Sequence, residues 1–227
     1  MLVVLLSLNI FDRLLPKIVK KDQNARWFAL HIIANIFITV LTIPDVIRML
    51  QNPVNDFFIK THERMAEISW YETKGPAVIG FSTHVYHVLA FRNLTMVDWV
   101  HHGFSAFFCG FFSLYFYWGF ALNFMLFFIT GVPGGIDYAM LLCVKLGKMK
   151  PLTEKRINTY INLWVRMPAL LASASWWHAT ASMYGSKMST GMYVAGYVVA
   201  INNIWNGIYF CHRVVSNYYY KASRIKH

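Results

Sequence analysis

The sequence predicts an all-α polytopic membrane protein, a bundle of about six transmembrane helices around a cytosol-facing polar cavity. Three observations lead there. The 227 residues are 57% hydrophobic and only 14% charged, with a mean hydropathy of +0.41; a soluble domain carries about 25% charged residues. Apolar runs long enough to span a bilayer alternate with short polar segments. Ionisable and amide side chains recur inside those runs instead of only between them. The formal charge of +11 is dispersed over the loops, which fits the positive-inside bias and contact with anionic lipid; no nucleic-acid partner is expected. Cys109, Cys143 and Cys211 lie in apolar context without paired spacing. They read as core residues, not as a disulfide frame or zinc site, and no metal is expected.

Residues 1–25 form a basic N-terminal segment at the membrane interface. Met1 to Phe11 is apolar but lacks a basic leader and a small-residue cleavage site, so a signal peptide is not expected. The first span runs from Trp27 to about Leu50, with His31 and Asn35 one turn apart on one face and Pro44 ending or kinking it. Residues 51–74 make a polar loop. Span two, Gly75 to Phe91, carries His84 and His87 on one face. A turn holding the sequon Asn93-Leu94-Thr95 leads to span three, about Met96 to Tyr117. Span four, residues 120–146, is interrupted by Gly131-Val132-Pro133-Gly134-Gly135, a pentad that breaks or kinks a helix. A basic loop follows. Span five, about Ile157 to Tyr184, contains Arg166 and Pro168; span six, about Met192 to His212, contains Asn202, Asn203 and Asn206. The bundle domain covers residues 26–217, and residues 218–227 form a basic tail.

Six spans put both termini on one side. Of the 21 Lys and Arg residues, fifteen fall on that side, five on the other, and Arg166 within a span. Both termini are therefore placed in the cytosol. If the sequon turn is cytosolic, Asn93 cannot be glycosylated.

The candidate site centres on Asp98-Trp99-Val100-His101-His102. Two histidines with an aspartate one turn before them are costly in hydrocarbon, and intramembrane ionisable groups point to function. Asp98 lies at i−3 and i−4 from the pair, so its carboxylate can reach either ring and set a tautomer. The alternative is a solvated helix start at headgroup level. At 1.5 Å per residue, His101 and His102 lie roughly 10 Å deep, and Asn35, His84, Asp137, Arg166 and Asn203 about 12–15 Å, with His87 slightly shallower. One shared layer predicts one polar cavity. Asp137 and Arg166 are expected to pair, since neither is easily buried alone. His178 lies near the far end of span five and reads as interfacial.

The histidine-and-asparagine face His31/Asn35, the Asp98–His102 motif, the run Gly131 to Tyr138, and Asn162-Leu163-Trp164-Val165-Arg166-Met167-Pro168 resemble the TLC domain family, the membrane domain of ceramide synthases and their relatives. The resemblance covers about residues 25–220. It implies a six-helix bundle around a lipid-accessible cavity, resident in the endoplasmic reticulum or another endomembrane, with membrane lipids as partners. It implies His101 and His102 as catalytic with Asp137 at an acidic position, and transfer of a fatty acyl group from long-chain acyl-CoA to a lipid amine; Asp98, by its spacing, joins them as the residue that orients an imidazole. Acyl-CoA is then a co-substrate and no cofactor stays bound. His84, His87, Asn35, Arg166 and Asn203 are the candidate substrate-binding residues. This chain has one acid and no histidine near Asp137, where the enzymes carry a longer acidic signature. Relatives lacking the full signature are linked to membrane lipid composition or trafficking, which is the alternative reading.

Amide formation from a thioester needs a base for the amine and stabilisation of an oxyanion. One imidazole can be the base; the other can donate to the oxyanion or be transiently acylated. Lys145, Lys148, Lys150 and Arg156 can hold CoA phosphates, or simply express the positive-inside bias. The Asp98-x-x-His101-His102 spacing also resembles the histidine box of fatty-acid elongases. A di-iron oxygenase needs more imidazoles than His84, His87, His101 and His102 supply. Gly131-x-x-x-Gly135 spacing permits helix contact, including a homo-oligomer, although a Pro-Gly break explains it equally.

Overall fold

The computed structural model describes residues 1–19, 22–51, 70–91, 94–116, 118 and 120–224. The polar loop after the first span and Asn93 of the sequon lie outside the described residues. All regular structure among them is helical.

α1 (Leu2–Leu14) and the short α2 (Pro16–Val19) precede α3 (Gln23–Gln51). Asp22 starts α3: its Oδ1 accepts the Ala25 N–H at 2.8 Å. That donor holds the Asp22 carboxyl below the ordinary carboxylate range. α4 is Trp70–Ala90. α5 (Met96–Val100) opens into a π-helix over His101–Phe108 and closes again as α6 (Cys109–Tyr115). α7 (Phe120–Leu126) passes through a π-helix at Phe127–Gly131 into α8 (Val132–Lys145). α9 (Pro151–Ile161) passes through a third, Asn162–Arg166, into α10 (Met167–Tyr184). α11 (Thr190–Ser223) closes the chain.

Several expectations are corrected. The Pro133 pentad does not break its span: the widened turn before Val132 absorbs the ring, Pro133 sits at the start of α8, and the helix continues to Lys145. Span five is part of a longer helix that begins at Pro151, because proline suits a first helical turn. The tail is helical through Ser223. Lys74 belongs to helix α4, not to a loop: it is buried and donates to the Leu114 carbonyl near the end of α6, where a cation suits the helix dipole.

The glycines set the helix spacing. A Cβ on Gly131 would stand 3.0 Å from Thr39 Oγ1, and one on Gly134 3.0 Å from Asn35 Nδ2. α8 therefore lies directly against α3, with Asn35 buried in the seam. A Cβ on Gly196 would fall 1.9 Å from Trp177 Cζ2, so the Trp177 ring lies on bare α11 backbone. Beside Trp177 is a small apolar cavity of about 50 Å³, partly open to the surface and lined by residues of α6, α7, α10 and α11 with Trp118. At the other end of the bundle, Leu8, Leu15, Trp27, Leu30, Tyr86 and Phe91 make a cluster that seats α1 on α3 and α4. Arg26 pins it with a bidentate pair of hydrogen bonds to Asp12 (Nε–Oδ1 2.9 Å, Nη2–Oδ2 2.5 Å), and Tyr86 donates to the same carboxylate at 2.9 Å.

Two helical stretches, Gln23–Gln51 and Phe120–Lys145, are long and apolar enough to cross a membrane. Side chains of other helices also present apolar surface outward, among them Phe111, Trp164, Ile201 and Trp205.

Candidate functional site: a histidine cluster between five helices

α3, α4 and the first π-helix bring five imidazoles together. Ring centroids are 5.5 Å apart for His101 and His102, 5.1 Å for His84 and His102, 5.6 Å for His84 and His101, 4.9 Å for His87 and His102, and 6.0 Å for His31 and His84. His84 and His87 face the pair because they sit three apart on α4. The π-helix adds a residue to the turn, which re-aims the side chains it carries, and such insertions cluster at functional sites.

The hydrogen bonds assign tautomers. His102 Nδ1 stands 2.6 Å from the Asp98 backbone carbonyl, which can only accept, so Nδ1 carries the proton. His102 Nε2 is then the acceptor in its 3.0 Å contact with His87 Nδ1, which donates. In the neutral relay the basic lone pair emerges at His87 Nε2. Asp98 thus orients His102, but through its main chain. Its carboxylate accepts from Thr95 N at 2.8 Å and Thr95 Oγ1 at 2.7 Å, while its N–H donates to Thr95 Oγ1. This is a capping box at the start of α5, and it corrects the expectation that the carboxylate reaches an imidazole.

Aromatic rings and amides surround the cluster. Trp27 stacks on His87 at 3.5 Å and meets His31 edge-on at 3.6 Å. Tyr138 of α8 lies 4.1 Å from the His31 ring. Asn206 of α11 faces His101 Nδ1 at 3.4 Å, and Asn202 accepts from Ser105 at 3.2 Å. His31 Nδ1, His84 Nδ1 and Asn202 Nδ2 are buried without hydrogen-bond partners. Among the described residues, no group of three or more histidine, cysteine and acidic side chains is arranged to hold a metal ion.

The remaining candidates separate into two places. Asp137 and Arg166 make no direct ion pair within 4.0 Å, contrary to expectation. Two asparagines stand between them: Asn158 donates to Asp137 Oδ1 at 2.7 Å, Asn162 donates to Asn158 Oδ1 at 2.7 Å, and Arg166 Nη1 donates to Asn162 Oδ1 at 2.9 Å. Asn203 faces away from the histidines; its amide lies 2.7 Å from Met125 Sδ and it lines the apolar cavity beside Trp177. Depth alone did not distinguish it from Asn202 and Asn206, because each residue turns a helix by about 100°. His178 pairs at 2.9 Å with Tyr197 OH on the exposed surface. Cys109 and Cys211 are buried and free, and Cys143 is free and partly buried. Trp27, Tyr138 and Asn158 escaped the sequence reading, since aromatic and amide residues on apolar helices are ordinarily core.

No family model, curated protein or solved structure matches this chain.

Proposed function

We propose that this chain is a six-span membrane protein with both termini in the cytosol. We further propose that it transfers a fatty acyl group from acyl-CoA to a lipid amine, as its resemblance to the TLC domain family suggests. The observation that carries the reading is the oriented relay from the Asp98 carbonyl through His102 to His87, beside His101. His87 Nε2 takes a proton from the amine as its nitrogen attacks the thioester carbonyl. The C–N bond forms, an imidazole N–H such as that of His101 stabilises the oxyanion, the C–S bond breaks, and the proton leaves with the CoA thiol. The two long apolar helices support the membrane placement, as do the outward Phe111, Trp164, Ile201 and Trp205.

The test is CoA release by purified protein given long-chain acyl-CoA with and without a long-chain amine. Amine-dependent release that disappears in the His101→Ala/His102→Ala double variant supports the reading. One observation favours a second reading, a lipid-binding protein without turnover: the apolar cavity beside Trp177 has no histidine in its lining. Lipid binding with no CoA release from any acyl-CoA would establish it instead.

A further inference from the structure

Asp137 and Arg166 are opposite charges in one buried layer, yet two asparagines hold them apart. The spacer is buried and bonded internally. Asn158 and Asn162 are 5% and 0% exposed. Asn162 also donates to the Asn158 main-chain carbonyl at 2.9 Å, and Asn158 contacts Glu154 at 3.3 Å. A direct Arg–carboxylate fork would be the usual way to bury both charges. Here each keeps an unused valence. Arg166 Nη1 is satisfied by Asn162, but Nε is buried with no partner. Asp137 Oδ1 takes the Asn158 amide, and Oδ2 has no hydrogen bond among the described residues. Both residues retain some exposed surface. Leu163, Trp164 and Val165, immediately before Arg166, are exposed at 42%, 74% and 39%. Arg166 is thus partly exposed on a turn whose preceding residues are exposed and apolar.

We propose that Asp137 and Arg166 form a headgroup site for a zwitterionic amphiphile. Arg166 takes the oxyanion, a phosphate or a carboxylate, through Nη2; Asp137 takes the ammonium. The asparagine spacer keeps the two protein charges from neutralising each other, so a ligand of matching polarity satisfies both while the site stays neutral. The hydrocarbon chain lies along the Leu163–Val165 surface. The inference rests on the reading of the chain as a protein acting on lipid amines, and it narrows that class to amines with a neighbouring oxyanion.

The test is binding in a neutral maltoside micelle, with probes of one chain length: 1-acyl-glycerophosphoethanolamine, O-acyl-serine, 1-acyl-glycerophosphate, an alkylamine and a monoacylglycerol. At least one of the two zwitterions is expected to bind tenfold or more tighter than the other three probes. Which one does so distinguishes phosphate from carboxylate. Arg166→Gln should erase the advantage over the alkylamine, and Asp137→Asn the advantage over the glycerophosphate. Arg166→Lys, a milder change, should weaken the zwitterion several-fold by losing the fork. Equal binding of the zwitterions and either probe of one charge sign, the glycerophosphate or the alkylamine, by the unmodified protein would overturn the proposal, whatever the variants do. The His101→Ala/His102→Ala variant should keep the preference, so absence of acyl transfer and absence of headgroup recognition are read separately.

Discussion

His87 Nδ1 and His102 Nε2 stand 3.0 Å apart, and the Asp98 carbonyl at the far side of His102 decides which of them carries the proton. The basic end of the pair therefore belongs to a residue outside the His101-His102 dipeptide. His87→Ala should lower amine-dependent CoA release by about 100-fold or more, the usual contribution of a positioned base. Thermal stability should fall much less steeply. A variant within threefold of the unmodified rate would remove His87 from the chemistry.

Asp98 gives a contrasting expectation. Its carboxylate is the returning arm of the capping box with Thr95, so Asp98→Ala should cost about 1 kcal/mol of stability, and Asp98→Asn less, because the amide oxygen can still accept from the Thr95 N–H. Neither should abolish CoA release, since the main-chain carbonyl that orients His102 remains, while loss of the carboxylate charge near His87 should shift the pH–rate profile without changing its shape. Thermal unfolding and a pH–rate profile check the two halves.

At Gly196 the Trp177 ring occupies the place of a side chain. Gly196→Ala should destabilise by about 1–3 kcal/mol, the range for overpacking. Gly103→Ala has open space around it and should be neutral or slightly stabilising, since alanine favours helix. Equal melting temperatures for the two variants would contradict the close α10–α11 packing.

Asn162→Leu removes the centre of the Asp137–Arg166 spacer and strands Arg166 Nη1 and Asn158 Oδ1. The expected loss is about 1–3 kcal/mol for each buried group left unsatisfied. Asn162→Asp tests the spacer differently: it offers Arg166 a direct carboxylate and should weaken zwitterion binding while keeping the fold.

Asp22 provides a pH-dependent check outside the spans. Folding lowers its proton affinity, so its contribution is present above about pH 4 and fades as acid protonates the carboxylate. Asp22→Ala should lower the melting temperature at pH 7 by the equivalent of about 1 kcal/mol. The gap from the unmodified protein should narrow as the pH falls to 3.

The helical architecture was legible in the order of apolar runs and turn residues, and so was the shared face of His84 and His87, whose i, i+3 spacing needs no tertiary knowledge. The π-helices were not legible. Nothing in His101–Phe108 or Asn162–Arg166 distinguishes a widened turn from an ordinary one, because the inserted residue is compensated by contacts with other helices. Asp98 shows the same limit at one residue. Its spacing allowed the carboxylate to reach either imidazole, but Thr95 takes the carboxylate and only the main-chain carbonyl meets His102.

The sequence by itself determined an apolar, helical chain with polar groups committed to its interior, since composition and periodicity follow from the cost of exposing apolar surface to water. Tertiary structure alone decided which of those groups meet. Trp27, Tyr138 and Asn206 join the histidines while Asn203 turns to the apolar cavity, and Asn158 and Asn162 separate two charges that sequence reasoning had paired. The physical reason is that a helix fixes the spacing of its side chains but not the rotation at which it packs. That rotation is set by glycines such as Gly134 and Gly196, whose missing side chains let one particular neighbour approach.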